Sequence, residues 1–256
     1  MNVIKSKKKL GQHFLKDLSI ARHIVDLLDS EENILEIGPG TGILTNLLVK
    51  TKFEKLIAID LDNRAIKYLK NQIKNDNIIL IHKDILSVDF NLLFRKNFSI
   101  VGNLPYNISS QILFKILEFR NSINMVVIML QKEVSDRISS SHNSRKYGIL
   151  SVLIQTFFEV KNVLEVEPKS FNPVPKVKSS VLKLDRNNTN EIGVDYDFYK
   201  MIIKQSFQNR RKTLRNSLKN LNLPKIIDLD IFSKRAEELS VKDFIWLAKF
   251  LKDILK

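Results

Sequence analysis

The sequence predicts an α/β fold: an open, doubly wound sheet followed by a small helical domain. Three observations predict it. First, the apolar run Asn33–Ile37 leads into Gly38-Pro39-Gly40-Thr41-Gly42, and a helical pattern follows from Ile43 to Val49. Three of the chain's seven glycines fall within those five residues; glycine there lets the backbone turn sharply and brings helix N-terminal amides toward a ligand. Second, the apolar run Leu56–Ile59 ends at Asp60, twenty residues beyond Gly40. An acid at that spacing and strand end is placed to accept hydrogen bonds from ribose hydroxyls. Third, the polar stretch Asp185–Asp195, with Asn187, Asn188, Asn190 and Gly193, separates this alternation from a basic helical tail. Such a stretch marks a domain boundary, dividing the chain into residues 1–187 and 188–256.

The composition is that of an ordinary globular protein, 256 residues with 44% hydrophobic content and ample material for a core. The formal net charge of +14 raises affinity for polyanions, nucleic acid above all. Heavy use of Lys, Asn and Ile also fits AT-rich coding, so the position of the charge matters more than its total. There are no cysteines, which excludes disulfides, thiolate nucleophiles and Cys-ligated zinc. No apolar run is long enough to span a bilayer, and Met1–Lys9 is basic without the apolar core of a signal peptide. A cytoplasmic location is expected.

Along the chain, Lys5 and Lys7–Lys9 precede Gln12-His13-Phe14-Leu15. A helix is expected from Asp17, its N-cap, to Leu28, with Ile20, Ile24, Leu27 and Leu28 on one face. His13 lies in the turn before it, where a lone histidine is ordinarily structural. After the glycine turn and Asp60 comes a third strand, Ile78–His82, ending at Lys83-Asp84-Ile85. Asp84 is either a cap of the following turn or an acceptor for an adenine amine on the ligand edge of the sheet. A fourth strand delivers Gly102-Asn103-Leu104-Pro105-Tyr106 to the same edge, followed by a helix over Ser109–Phe119. Asn and Pro are common turn residues, yet an Asn, main-chain carbonyls beside a Pro and an aromatic ring can also hold a flat base with an exocyclic amine. The fifth strand is Met125–Leu130.

Ser139–Gly148 is polar and holds Arg145 and Lys146, a mobile loop able to touch a substrate backbone. Ile149–Phe158 resumes an apolar element. Phe171-Asn172-Pro173-Val174-Pro175-Lys176-Val177-Lys178-Ser179 is a proline-stiffened loop that either presents Phe171 as a stacking face or buries it. Beyond the linker, Phe198–Ile227 contains no acidic residue but carries Lys200, Lys204, Arg210, Arg211, Lys212, Arg215, Lys219 and Lys225. A solvated helix face usually mixes signs, and arginine forks suit phosphate. Ile202, Ile203, Phe207, Leu214, Leu218 and Leu221 anchor this segment, and Arg235–Leu255 adds an amphipathic helix.

The glycine spacing, Gly-x-Gly-x-Gly, departs from the dinucleotide pattern Gly-x-Gly-x-x-Gly. Glu36 puts negative charge beside the turn, where it repels a pyrophosphate but not the sulfonium and ammonium of S-adenosylmethionine. The methyl donor is therefore the expected cofactor.

Taken together, Gln12–Leu15, Glu36–Gly42, Asn103–Tyr106, Phe171–Ser179, Arg210–Leu218 and Arg235–Ser240 occur in the order found in the ribosomal RNA adenine dimethyltransferases, which the chain resembles over nearly its whole length. It resembles the small-subunit branch. Relatives that methylate large-subunit RNA typically carry Ile in place of Leu104 and lack the Arg-Arg-Lys-Thr segment. The resemblance implies a Rossmann-like S-adenosylmethionine-dependent methyltransferase sheet with a small C-terminal helical domain. It further implies dimethylation of N6 on two adjacent adenosines in the 3′-terminal hairpin of small-subunit RNA, with a role in subunit biogenesis. His13, Leu15, Gly38, Asp60, Asp84 and Asn103 match cofactor-contacting positions, with Gly40 and Ile85 beside them. The family often has Glu where this chain has Asp60. Asn103, Leu104, Pro105, Tyr106 and Phe171 match the target-base site. Lys146, Lys176, Lys178, Arg210, Arg211, Lys212 and Arg215 are expected to contact RNA. The expected partner is the assembling small subunit, met by a monomer without metal or membrane. Methylation of large-subunit RNA or DNA, and a purely binding role in ribosome assembly, are the other readings.

Overall fold

A computed structural model describes residues 4–28, 33–221 and 229–255; Met1–Val3 and Lys225 of the sequence reading lie outside them. The elements run β1 (Phe14–Leu15), α1 (Leu18–Asp26), β2 (Asn33–Ile37), α2 (Thr45–Leu48), β3 (Leu56–Asp60), α3 (Asn63–Gln72), β4 (Ile78–His82), β5 (Phe98–Asn103), α4 (Ser109–Glu118), β6 (Ile123–Gln131), α5 (Lys132–Ser139), α6 (Ile149–Phe157), β7 (Phe158–Val166), β8 (Phe171–Asn172), β9 (Ser179–Arg186), α7 (Tyr196–Gln208), α8 (Leu214–Ser217) and α9 (Val241–Ile254). Asp17 caps α1 by accepting from the Ser19 and Ile20 amides at 3.0 and 3.4 Å. The expected helix after the glycine turn shrinks to the single turn of α2.

Seven strands form one sheet in the order β4-β3-β2-β5-β6-β9-β7. The pairs β4–β3, β3–β2, β2–β5 and β5–β6 are parallel, and β6–β9 is antiparallel. From the centre the chain first builds outward through β3 and β4, then returns to place β5 on the other side of β2. That reversal makes the carboxyl ends of β2 and β5 the place where an open sheet of this kind opens a crevice. β2 and β3 are buried along their full length, as helices on both faces require, and this explains their unbroken apolar sequences. β5 can lie against β2 only because Gly102 lacks a side chain: a Cβ there would stand 2.5 Å from the Ile37 carbonyl oxygen.

The chain divides into two compact units, residues 1–135 with 160–186, and 136–159 with 187–256. The division after Arg186 falls one residue before the expected 187/188 boundary, and residues 136–159, expected in the larger domain, group with the smaller unit. In that second unit, Ile202, Ile203, Phe207, Leu214, Leu218, Phe244, Leu247 and Leu251 form the interior. Phe207 stacks on Phe244 with centroids 5.8 Å apart, and the buried Tyr199 hydroxyl meets Thr156 Oγ1 at 2.9 Å. Among the described residues no helix is long and apolar enough to cross a membrane.

Candidate active site

A cleft of about 910 Å³, part of it open to solvent, lies in the first unit at the carboxyl ends of β2, β3 and β5. Its walls come from five stretches: Lys9–Phe14, Ile37 with Gly38 and Gly40, Ile59–Leu61, Lys83–Ile85, and Asn103–Ile108. Of the expected cofactor residues, His13, Gly38, Gly40, Asp60, Asp84, Ile85 and Asn103 line it. Leu15 does not; it is buried in the core beneath the first stretch.

The glycine turn is shaped by the acid that follows β3. Asp60 Oδ2 accepts from the Gly40 amide at 3.0 Å and Oδ1 accepts from the Asp62 amide at 2.7 Å. Burial raises the Asp60 carboxyl above its ordinary range, while the two amides pull it back. Each oxygen keeps a further lone pair for a hydroxyl donor, so the shorter Asp side chain is compatible with ribose. Gly40 has φ 55°, and a Cβ there would lie 2.9 Å from the Phe14 ring; a side chain would fill the cradle. Asp84 takes the capping role, through the Leu86 amide at 2.9 Å, and keeps a place on the cleft wall.

Glu36 requires a correction. Its side chain is 1% exposed, and burial raises its pKa to about 8, with Asp60 adding to the rise and Thr45 lowering it partway. Among the described residues Thr45 is the only group that favours the charged form, and Glu36 Oε2 is left without a hydrogen-bond partner. A neutral, buried carboxyl cannot repel a pyrophosphate, so the expected discrimination by its charge does not operate in this state of the protein.

At the end of β5, Asn103 Nδ2 donates to the His13 carbonyl at 2.8 Å. A carbonyl can only accept, so this contact fixes the amide and leaves Oδ1 as the acceptor available to a substrate. The His13 ring stacks on Tyr106, centroids 5.2 Å apart and planes 25° apart. Its Nδ1 lies 2.8 Å from the Pro173 carbonyl, to which it donates. Tyr106 Oη and Ser179 Oγ are 2.6 Å apart; burial raises the phenol pKa and this bond lowers it. The stretch from Pro173 to Ser179 is thus tied to the cleft at both ends.

Phe171 does not fit the stacking role as expected. It is fully buried in the core, because β8 pairs antiparallel with β1, setting Phe171 against Leu15. It does not line the cleft. Sequence reasoning also passed over Gln12, whose Oε1 accepts from the Lys7 amide while Nε2 donates to Asp62 Oδ2 at 3.3 Å. Asp62 is held well below the usual carboxylate range by the Arg64 guanidinium. Gly102, missed as well, carried a signal: a glycine inside an apolar strand marks a close backbone approach.

The expected RNA contacts differ in availability. Lys176, Arg211 and Lys212 are exposed. Lys178 bridges Glu165 and Glu167, each at 2.7 Å, and these carboxylates raise its pKa. Lys146 pairs with Asp136 at 2.8 Å. Arg210 spends one Nη on the Arg145 and Tyr147 carbonyls at 2.9 and 2.7 Å, so it ties down the polar 139–148 stretch that the sequence suggested was mobile. Arg215 is exposed on α8.

Comparison with known proteins adds names to this geometry. The family model described as "Ribosomal RNA adenine dimethylase" matches residues 3–253. A ribosomal RNA small subunit methyltransferase A from Parabacteroides distasonis is 45% identical, covering 96% of this chain and 94% of that relative. The protein of the same name from Cytophaga hutchinsonii is also 45% identical, covering 98% and 99%. Among solved structures, a dimethyladenosine transferase from Plasmodium falciparum superposes with TM-score 0.79 at 28% identity, covering 94% of this chain and 97% of that one. The 23S rRNA methyltransferase ErmE shares the fold, with TM-score 0.64 at 23% identity and coverage of 95% and 100%.

Proposed function

Because the chain belongs to the ribosomal RNA adenine dimethylase family, we propose that it dimethylates N6 of two adjacent adenosines in the 3′-terminal hairpin of small-subunit ribosomal RNA, using S-adenosylmethionine. The small-subunit assignment follows its relatives' names. The observation that carries the chemistry is the orientation of Asn103: its amide nitrogen is committed to the His13 carbonyl, and its oxygen remains.

The residues fit the methyl donor. Gly38 and Gly40 would admit it closely, Asp60 would take its ribose hydroxyls, and Asp84 with Ile85 would meet its adenine. When bound, it supplies an electrophilic methyl group on a sulfonium. Adenine N6 is a poor nucleophile, because its lone pair is delocalised into the ring. The Asn103 Oδ1 and the Leu104 carbonyl accept the N6 protons, which favours a pyramidal nitrogen with a localised lone pair. These acceptors also favour the positive charge that develops on nitrogen, so positioning and preorganised electrostatics supply the rate. No strong base is needed, since the methylated ammonium gives its proton to water readily. For the second transfer the same acceptors must hold a nitrogen with one remaining proton.

The target adenosine must leave its stack to enter the cleft. One face of Tyr106 is covered by His13, so the base would stack on the other. Phe171 would act from the core, fixing the Asn172–Ser179 segment that meets His13 and Tyr106. Arg211, Lys212, Arg215 and Lys176 would hold phosphates. The expected setting is the cytoplasm, with the protein acting as a monomer. Competition for labelled methyl groups between unmethylated small and large subunits tests the reading: incorporation should follow the small subunit, and preference for the large one would contradict it.

A further inference from the structure

Glu36 is a buried titratable group for which the proposed methyl transfer has no use. It lies in β2, two residues before the cleft-lining Gly38. Its carboxyl is 1% exposed and Oε2 has no hydrogen-bond partner. From α2 it meets Thr45, which carries no charge; from β3 it feels Asp60, itself an acid. On the β5 side its strand partner is Val101. Behind Asp60 stand Asp62, a further negative charge, and His82. No described cation thus faces Glu36 directly. Two buried acids side by side without a cation cannot both ionise cheaply, and the more deeply buried one, with one oxygen left without a partner, is Glu36.

We infer that Glu36 senses charge in the donor site, protonated when the cleft is empty and ionised when a sulfonium-bearing ligand enters, so that donor binding expels a proton and favours the donor over its thioether product. The inference rests on the methyl-donor reading of the cleft. The step balances simply: the Glu36 O–H breaks, the carboxylate keeps the electron pair, and the proton goes to solvent. S-adenosylmethionine carries sulfonium, ammonium and carboxylate, net +1, whereas S-adenosylhomocysteine is a net-neutral zwitterion. A buried carboxyl two residues before Gly38, with one oxygen free of partners, distinguishes the two by the attraction that the extra charge exerts. This restores the charge complementarity that the sequence suggested, but only in the loaded state. Because coupling between proton and ligand is reciprocal, each proton released tightens the donor with rising pH, by up to about ten-fold per pH unit for one full proton.

Titration calorimetry on the full chain tests this at pH 7, in phosphate and in Tris, with S-adenosylmethionine and S-adenosylhomocysteine, on the wild type and Glu36→Gln. Glutamine keeps the shape of the protonated side chain. The wild type should release well over half a proton more than Glu36→Gln per donor bound, and that difference should fall by at least half with the product. Titration of the ligand's own amine is common to both proteins and cancels. The donor's dissociation constant should fall several-fold from pH 6.5 to 7.5 in the wild type and stay nearly level in Glu36→Gln. Equal proton release by the two proteins overturns the inference and moves the release to Asp60. If Glu36→Gln does not fold, the wild-type comparison of donor with product decides, and equal release overturns it. Failure of the wild type to bind the donor at all overturns the donor reading and this inference together.

Discussion

Asn103 Nδ2 donates to the main-chain oxygen of His13 across 2.8 Å, and this contact, between the end of β5 and the turn before β1, sets the direction of the acceptor in the cleft. Replacing the amide by a carboxylate sets oxygen against oxygen and turns the side chain away. Asn103→Asp should therefore lose methyl transfer by a factor of about 10²–10³, the usual scale for losing one preorganised polar contact. Single-turnover transfer measures it. His13→Ala keeps the main-chain acceptor and should lose less, mainly through KM. A His13→Ala defect as deep as that of Asn103→Asp would contradict the orientation argument.

The bond between Tyr106 and Ser179 ties the cleft wall at Tyr106 to the Phe171–Ser179 segment. Ser179→Ala leaves a half-buried phenol without this partner, at about 1 kcal/mol, or roughly a five-fold loss in kcat/KM. Tyr106→Phe in the Ser179→Ala background should add little more. Strict additivity in this double-mutant cycle would show that the two hydroxyls do not act together.

RNA binding should separate the basic residues by their existing partners. Neutralising Arg211 and Lys212 together should lower the salt slope of binding by one to two units, about one for each phosphate no longer neutralised. Lys178→Ala should leave the slope unchanged, because Glu165 and Glu167 already pair that charge. Filter binding across a salt series reads both. A Lys178→Ala slope reduced as far as that of the arginine and lysine pair would return Lys178 to the phosphate-binding set.

Most of the first unit is legible in the sequence because its central strands are buried on both faces and read as continuous apolar runs. The glycine turn, Asp60, Asp84 and Asn103 all emerge from strand-end positions alone. What escapes is tertiary. β1 and β8 are two residues each, too short for any pattern, yet their pairing buries Phe171 and removes it from the cleft. The state of Glu36 escapes because sequence gives its type but not its depth. Residues 136–159 join the second unit through packing that no linker composition announces. The basic residues look alike as letters, whereas the fold divides them by what Arg210 and Lys178 already hold.

The pH dependence of stability should carry two opposite signatures. Glu36 has its folded pKa raised from 4.5 to about 8, so the folded state holds a proton that the unfolded chain has released. Its contribution is fully present below about pH 4.5 and is lost as pH rises through about 8. Asp62 has a depressed folded pKa, so its contribution is present above the ordinary Asp range and is lost on acidification. The ligand-free melting temperature should therefore decline between pH 5 and 8 in the wild type and flatten in Glu36→Gln. The same decline in both proteins would remove Glu36 as its source.

At the centre stands N6 methylation of small-subunit RNA by the Asn103–Tyr106 strand end. Incubating wild type and Asn103→Ala with labelled S-adenosylmethionine and unmethylated small subunits, then mapping the modified nucleosides, tests it most directly. The expected result is N6,N6-dimethyladenosine at two adjacent positions near the RNA 3′ end with the wild type. The variant should show none, while still binding the methyl donor. Dimethyladenosine formed at an undiminished rate by Asn103→Ala, or none formed by the wild type, would contradict the account.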